Sequence, residues 1–158
     1  MKKSNRQTQK ILIASGVNLD LLGRRDPNIY GSETLNDMKK LIESNFSQWQ
    51  KKISSQKYKL VFFQTNDEAK LLAKISVDFA GAVINAGAWT HTSLALADRL
   101  SGLNLPYVEA HVSKLADREA FRQHSYLAAH ALKSIDGFGI RSYWMALESL
   151  LEYLESKH

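Results

Sequence analysis

The sequence predicts an α/β fold, a parallel five-stranded sheet with helices on both faces. Three observations predict it. Short apolar runs recur along the chain and read as buried strands. Between them, apolar residues repeat at every third or fourth position, as on an amphipathic helix. The two patterns alternate five times, which implies parallel strands joined by right-handed helical crossovers.

The elements follow in order. Ile11-Leu12-Ile13-Ala14 is the first strand. A polar loop, Gly16 to Gly31, leads to a helix starting near Ser32 to Thr34, with Leu35, Met38, Ile42, Phe46, Trp49 and Ile53 on its apolar face. Thr34 followed by Asp37 resembles a capping box. Lys59 to Gln64 is the second strand. Asn66 or Asp67 can cap the next helix, whose face is Leu71, Leu72, Ile75 and Phe79. Ala82-Val83-Ile84-Asn85 is the third strand, and Thr90 starts a helix carrying Leu94, Ala97 and Leu100. Pro106 opens the fourth strand, Tyr107-Val108-Glu109. Residues 112–130 are mixed and only partly helical. Leu132 to Asp136 is the fifth strand, and Trp144, Leu147, Leu151 and Leu154 mark the last helix. The expected architecture is a flavodoxin-like three-layer sandwich with strand order 2-1-3-4-5.

At 158 residues the chain is long enough for one domain with a real core. It has no cysteine, which excludes disulfides, thiolate metal sites and cysteine nucleophiles. No apolar run approaches the roughly 18 residues of a membrane span, and the polar first ten residues do not read as a secretory signal, so a cytoplasmic protein is expected. The net charge is +5. Lys2, Lys3, Arg6 and Lys10 lie in the first ten residues, which contain no acid, so the remainder carries 17 basic against 16 acidic residues. Residues 1–10 are expected to be a disordered basic tail, and residues 11–158 a single catalytic domain that is nearly neutral.

Open α/β sheets place their chemistry at the C-terminal ends of the strands, where strand order reverses. Strands 1, 3 and 4 end there together. The first delivers Asn18, Arg25 and Tyr30, the third Asn85-Ala86-Gly87-Ala88 and then Thr90-His91-Thr92-Ser93, the fourth Glu109-Ala110-His111-Val112-Ser113. Each piece has a plainer explanation. Asn18 and Asn85 suit turns, Thr90 and Ser93 suit a helix cap, and His91 suits an exposed helix start. Arg118 and Arg122, four apart, suit a solvated helix face. Glu109 and His111, two apart on a strand, share one face and need partners if buried. Three segments meeting at one edge outweigh these separate readings. No H-E-x-x-H or comparable spacing joins His91, His111, His124 and His130, and no phosphate-binding glycine motif follows the first strand. The strand ends also lack the clustered acids of a phosphoacceptor domain.

The blocks Gly16-x-Asn18-Leu19, Leu22-Gly23-x-Arg25-x-Pro27-x-x-Tyr30-Gly31, Asn85-Ala86-Gly87-Ala88-x-Thr90-His91-Thr92-Ser93, Glu109-x-His111-x-Ser113 and Arg118-Glu119-x-Phe121-Arg122-x-His124-Ser125-Tyr126 resemble the type II 3-dehydroquinate dehydratases. The resemblance runs from about Ile11 to Leu150. It departs from the usual pattern at Val17, Asp20, Lys114 and Arg141-Ser142, none of them a residue to which chemistry is assigned.

The resemblance implies dehydration of 3-dehydroquinate to 3-dehydroshikimate in the shikimate pathway, without cofactor or metal. A proton beside a ketone is removed and a hydroxyl leaves the next carbon, so the reaction needs a base, donors for the enolate and an acid. Tyr30 would be the base. A phenol with a pKa near ~10 needs its anion stabilised to serve at neutral pH, and Arg25 supplies fixed positive charge. Asn18 would hold the enolate oxygen through a water. His111 would be the acid, with Glu109 orienting its ring and keeping it protonated. Asn85, His91, Val112, Ser113 and Arg122 would bind substrate, and Arg118 would help cover it as a mobile first loop closes. Asp98 would reach a neighbouring subunit's site in an assembly of trimers, in the family a dodecamer. Two rivals remain at this point, a flavodoxin-like binding module and a catalytically inactive scaffold. No nucleic-acid or membrane partner is expected.

Overall fold

The structure is a computed structural model that describes residues 7–53 and 55–157. The expected tail falls largely outside these residues. Its last two positions, Gln9 and Lys10, already belong to the first strand.

Five strands form one parallel sheet: β1 (Gln9–Ser15), β2 (Tyr58–Gln64), β3 (Phe79–Asn85), β4 (Tyr107–His111) and β5 (Lys133–Asp136). Their order is β2-β1-β3-β4-β5, so β1 and β3 meet where the winding reverses. The helices are α1 (Pro27–Tyr30), α2 (Leu35–Lys52), α3 (Glu68–Lys74), α4 (Leu94–Gly102) and α5 (Arg141–Glu155). Both faces of the sheet are covered. Ile11, Ile13, Val83 and Val108 pack under α2 and α5, and Leu12, Ala14, Ala82 and Ile84 pack under α3 and α4. This is why the central strands read as continuous apolar runs instead of alternating ones.

α2 starts as its sequence directs. The Asp37 amide donates to Thr34 Oγ1 at 3.1 Å, and the Thr34 amide donates to Asp37 Oδ2 at 2.9 Å. Met38, Ile42 and Trp49 are buried on its core face. Ile53 lies past the helix end and is 65% exposed, so it is not part of that face.

Three other assignments change. Phe79 opens β3 instead of extending the helical face, because α3 ends at Lys74 and Ile75 turns extended. Thr90 does not cap a helix. Residues Gly87–His91 form a 3-10 turn, and Ser93 is the cap, its Oγ accepting from the Leu96 amide at 3.0 Å. That start turns Leu94 outward and Leu96, Ala97 and Leu100 inward. Arg118 and Arg122 share no helix face, since their segment is two short 3-10 turns, Leu115–Asp117 and Ala120–Arg122.

Candidate active site

The ends of β1 and β3 approach closely because Gly16 has no side chain. A Cβ there would lie 2.4 Å from the Ala86 carbonyl oxygen. The Gly16 amide donates to the Asn85 carbonyl at 2.8 Å across this gap. Asn18 follows in the left-handed region, at φ 63°, which asparagine tolerates. Its amide donates to Asn66 Oδ1 at 2.8 Å, and Gln64 Nε2 donates to the Gly16 carbonyl at 3.3 Å. The helix cap left open between Asn66 and Asp67 goes to Asp67, which frees the Asn66 side chain for this role.

The first loop is more ordered than its composition suggests. A 3-10 turn, Leu19–Leu21, buries Leu19, and α1 follows, with Asp26 Oδ1 accepting from the Asn28 amide at 2.9 Å and Pro27 at the first helical position. α1 ends at Tyr30. Arg25 Nη2 donates to the Tyr30 hydroxyl at 2.7 Å, and its guanidinium carbon lies 3.8 Å from the ring centroid. Arg118 stands 5.3 Å from the same ring centroid. The guanidinium places a fixed positive charge and an N–H donor at the phenolic oxygen.

β3 contributes Asn85, which is buried and whose Oδ1 accepts from the Gly87 amide at 3.1 Å. In the following turn, His91 Nδ1 lies 2.8 Å from the His124 carbonyl oxygen. A carbonyl only accepts, so Nδ1 carries the proton and Nε2 is left for the cleft. Thr90 is buried, and its hydroxyl has no hydrogen-bond partner.

β4 contributes the Glu109–His111 pair. Nε2 of His111 is 2.7 Å from Glu109 Oε1. Glu109 is fully buried. Burial alone would raise its carboxyl, but the hydrogen bond and charge of His111, with bonds from Ser125 and Ser134, outweigh it and hold the carboxyl below its ordinary range. Ser113 Oγ, just beyond β4, accepts from Arg118 Nη1 at 3.2 Å. Glu119 holds both nearby arginines, 3.3 Å from Arg118 Nε and 3.5 Å from Arg122 Nε. The second is an ion pair by distance but misaligned for a hydrogen bond, and that buried Nε has no hydrogen-bond partner.

Groups from all of these segments line one solvent-open cleft. Of the residues expected at the site, all line it except two. Glu109 sits behind His111. Asp98 is exposed on α4 and does not line the cleft. Tyr143 is a second tyrosine near the strand ends, with its hydroxyl 2.8 Å from Ser15 Oγ. It is fully buried, which pushes its phenol up and makes it unsuited to act as a base. Among the described residues, no group of three or more histidine, aspartate or glutamate side chains could hold a metal ion.

Sequence reasoning missed Asn66, Gln64, Ser125 and Ser134 as supports. Ser125 lies inside one of the recognised blocks without an assigned role. Ser134 sits on a short edge strand with no signal of its own.

Residues 9–151 match the family described as Dehydroquinase class II. The chain is 43% identical over 148 residues to the 3-dehydroquinate dehydratase of Prochlorococcus marinus subsp. pastoris, covering 91% of this chain and 96% of that one. It is 42% identical over 150 residues to the enzyme of the same name from Trichodesmium erythraeum, covering 93% and 95%. Two crystal structures of type II dehydroquinases are similar in fold. The one from Butyrivibrio crossotus has a TM-score of 0.82 at 32% identity, covering 90% of this chain and 97% of its own. The one from Propionibacterium acnes has a TM-score of 0.78 at 36% identity, covering 94% and 99%.

Proposed function

This chain belongs to the class II dehydroquinase family and dehydrates 3-dehydroquinate to 3-dehydroshikimate, and we propose that Tyr30 takes the proton while His111 protonates the leaving hydroxyl. The observation that carries this division of labour is the Arg25–Tyr30 contact in the cleft that His111 also lines. Tyr30, as the phenolate, accepts the proton beside the ketone. Arg25 stabilises that phenolate through a charge-assisted hydrogen bond. Asn18, fixed by Asn66, stands at the enolate oxygen and reaches it through a water. With Nε2 of His111 turned to Glu109, Nδ1 is the nitrogen that meets substrate. With Nε2–H held by Glu109, Nδ1 donates a proton only from the imidazolium. The hydroxyl then leaves as water.

The remaining polar groups bind. Main-chain N–H groups of Val112 and Ser113 face the substrate carboxylate, and Asn85, His91 and Arg122 face its hydroxyls. Arg118, tied to Ser113 and standing over Tyr30, covers the cleft. Asp98 contributes to a neighbouring copy's cleft in the trimer-based assembly that the resemblance implies, which sedimentation of the wild type and of Asp98→Ala would test. A cytoplasmic place belongs to the same reading. No helix among the described residues is long and apolar enough to cross a membrane.

A non-catalytic binding or scaffold role has no support from the relatives, which are dehydratases by name. Incubating the purified protein with 3-dehydroquinate and following the ultraviolet absorbance of the conjugated product tests the activity. Binding without product would overturn it.

A further inference from the structure

His111 stands between two cavities. One is the substrate cleft. The other opens at the β4–β5 edge and is lined by Glu109, Gln123, His124, Ser125, Ser134 and Asp136. The titratable groups around the Glu109 carboxylate are His111 and Tyr107 on its own strand, Asp136 on β5 and His124 in the loop beyond. Opposite it on β3 lies the apolar Ile84.

The carboxylate is gripped on both oxygens from separate parts of the chain. Oε1 receives His111 Nε2 at 2.7 Å and Ser125 Oγ at 2.6 Å, and Oε2 receives Ser134 Oγ at 2.7 Å. Ser125 Oγ also accepts from the Leu127 and Ala128 amides, each at 3.1 Å. Those two bonds occupy its acceptor sites, so its single proton points at Glu109. Ser134 is the direct register partner of Glu109 on β5. The residue is exposed at the sheet edge, yet its hydroxyl turns inward.

We propose that Ser134 is a positioning residue for the acid of this enzyme: with Ser125 it locks the Glu109 carboxylate plane, and through that plane the ring orientation and tautomer of His111. The terminal torsion of a glutamate is broad and two-fold, so one bond to one oxygen would leave the plane free to turn. A donor on each oxygen, from β5 and from the loop before Leu127, removes that freedom. The lock also satisfies a buried carboxylate with one imidazole N–H and two hydroxyl donors. Ser125 does double duty as a turn support, so Ser134 is the position at which the lock can be tested without disturbing the backbone.

The inference rests on His111 being the acid. Ser134→Ala removes one donor from the carboxylate, and Ser134→Thr keeps the hydroxyl on a residue suited to a strand. We expect Ser134→Ala to lower kcat about tenfold with KM within about twofold, the pattern for a lost positioning bond to a charged group. The carboxyl should become easier to protonate, moving the acid limb of the kcat profile up by about half a pH unit or more. Ser134→Thr should restore both. In ¹⁵N-histidine spectra the neutral His111 ring should be protonated at Nε2 in the wild type and become a tautomer mixture in Ser134→Ala. Active wild type with a Ser134→Ala variant unchanged in kcat, acid limb and tautomer overturns the proposal and leaves the dehydratase reading standing. If the wild type proves inactive, the spectra decide the lock alone, an unchanged tautomer overturning it.

Discussion

The guanidinium of Arg25 lies over Tyr30, its carbon 3.8 Å from the ring centroid, and donates to its hydroxyl at 2.7 Å. They lie five positions apart, Arg25 just before the cap of α1 and Tyr30 at its end. The cation both sits over the ring and donates to the oxygen that acts as the base in the proposed reaction.

Tyr30→Phe keeps the ring that Arg25 sits over and removes only the proton acceptor. Turnover should fall by at least about a thousandfold, within the span of general-base contributions. Folding and substrate affinity should stay close to wild type. Steady-state rates alongside calorimetric binding check this, and near-normal kcat would exclude Tyr30 as the base.

Arg25→Gln retains a donor but loses the fixed charge. It should lower kcat by about a hundredfold or more while KM moves only a few-fold, as for an interaction made chiefly in the transition state. A pure KM effect would make Arg25 a substrate clamp instead. Limited trypsin digestion adds a structural readout. Arg24 is exposed and Arg25 is engaged with Tyr30, so cleavage after Arg24 should come first, and a substrate analogue should slow it. Cleavage equal with and without the analogue would argue against a closing loop.

Glu109 links the site to pH. Its carboxyl titrates below the ordinary value of 4.5 in the folded protein. Its ionised form therefore contributes stability that is fully present above the unfolded value and is lost as pH falls through the lower, folded one. Glu109→Gln has no such titration. The difference in stability between wild type and Glu109→Gln, from urea unfolding between about pH 6 and pH 3, should shift against the wild type only over the acid end of that range. A constant difference across the range would mean that the carboxyl is not held low by folding.

Gly16→Ala tests the junction of β1 and β3. The added methyl would meet the Ala86 carbonyl at 2.4 Å, backbone that cannot swing aside. A loss of about 1 to 3 kcal/mol is expected, with the site disturbed through Asn18 and Asn85. Thermal unfolding and kcat should fall together. An unaffected variant would show that the two strand ends separate easily.

Much of the fold was legible locally. The two periodicities, the capping box at Thr34 and Asp37, and the buried runs of β1 and β3 depend on neighbours within a turn or two, and the alternation they form leaves few topologies open. The strand order then brings the ends of β1, β3 and β4 together, so Asn18, Tyr30, Asn85 and His111 could be assigned to one cleft from their positions alone. Local spacing also misled. Phe79 stands four residues after Ile75, as on a helix, yet begins a strand, and Arg118 and Arg122 stand four apart without a helix between them.

What only the tertiary structure decided is how the site is held. Asn66 reaches Asn18 across 48 positions, Ser134 reaches Glu109 across 25, and His91 reaches the His124 carbonyl across 33. A hydrogen bond forms where donor and acceptor come within about 3 Å at a favourable angle. For side chains on different strands and loops, that condition depends on register and loop path, which no local pattern records. The sequence by itself determined which residues could do the chemistry, because strand ends and motif blocks are written along the chain. Tertiary packing decided which nitrogen of His111 bonds Glu109 and which hydroxyls hold that carboxylate, because those choices are made between segments that meet only after the sheet has formed.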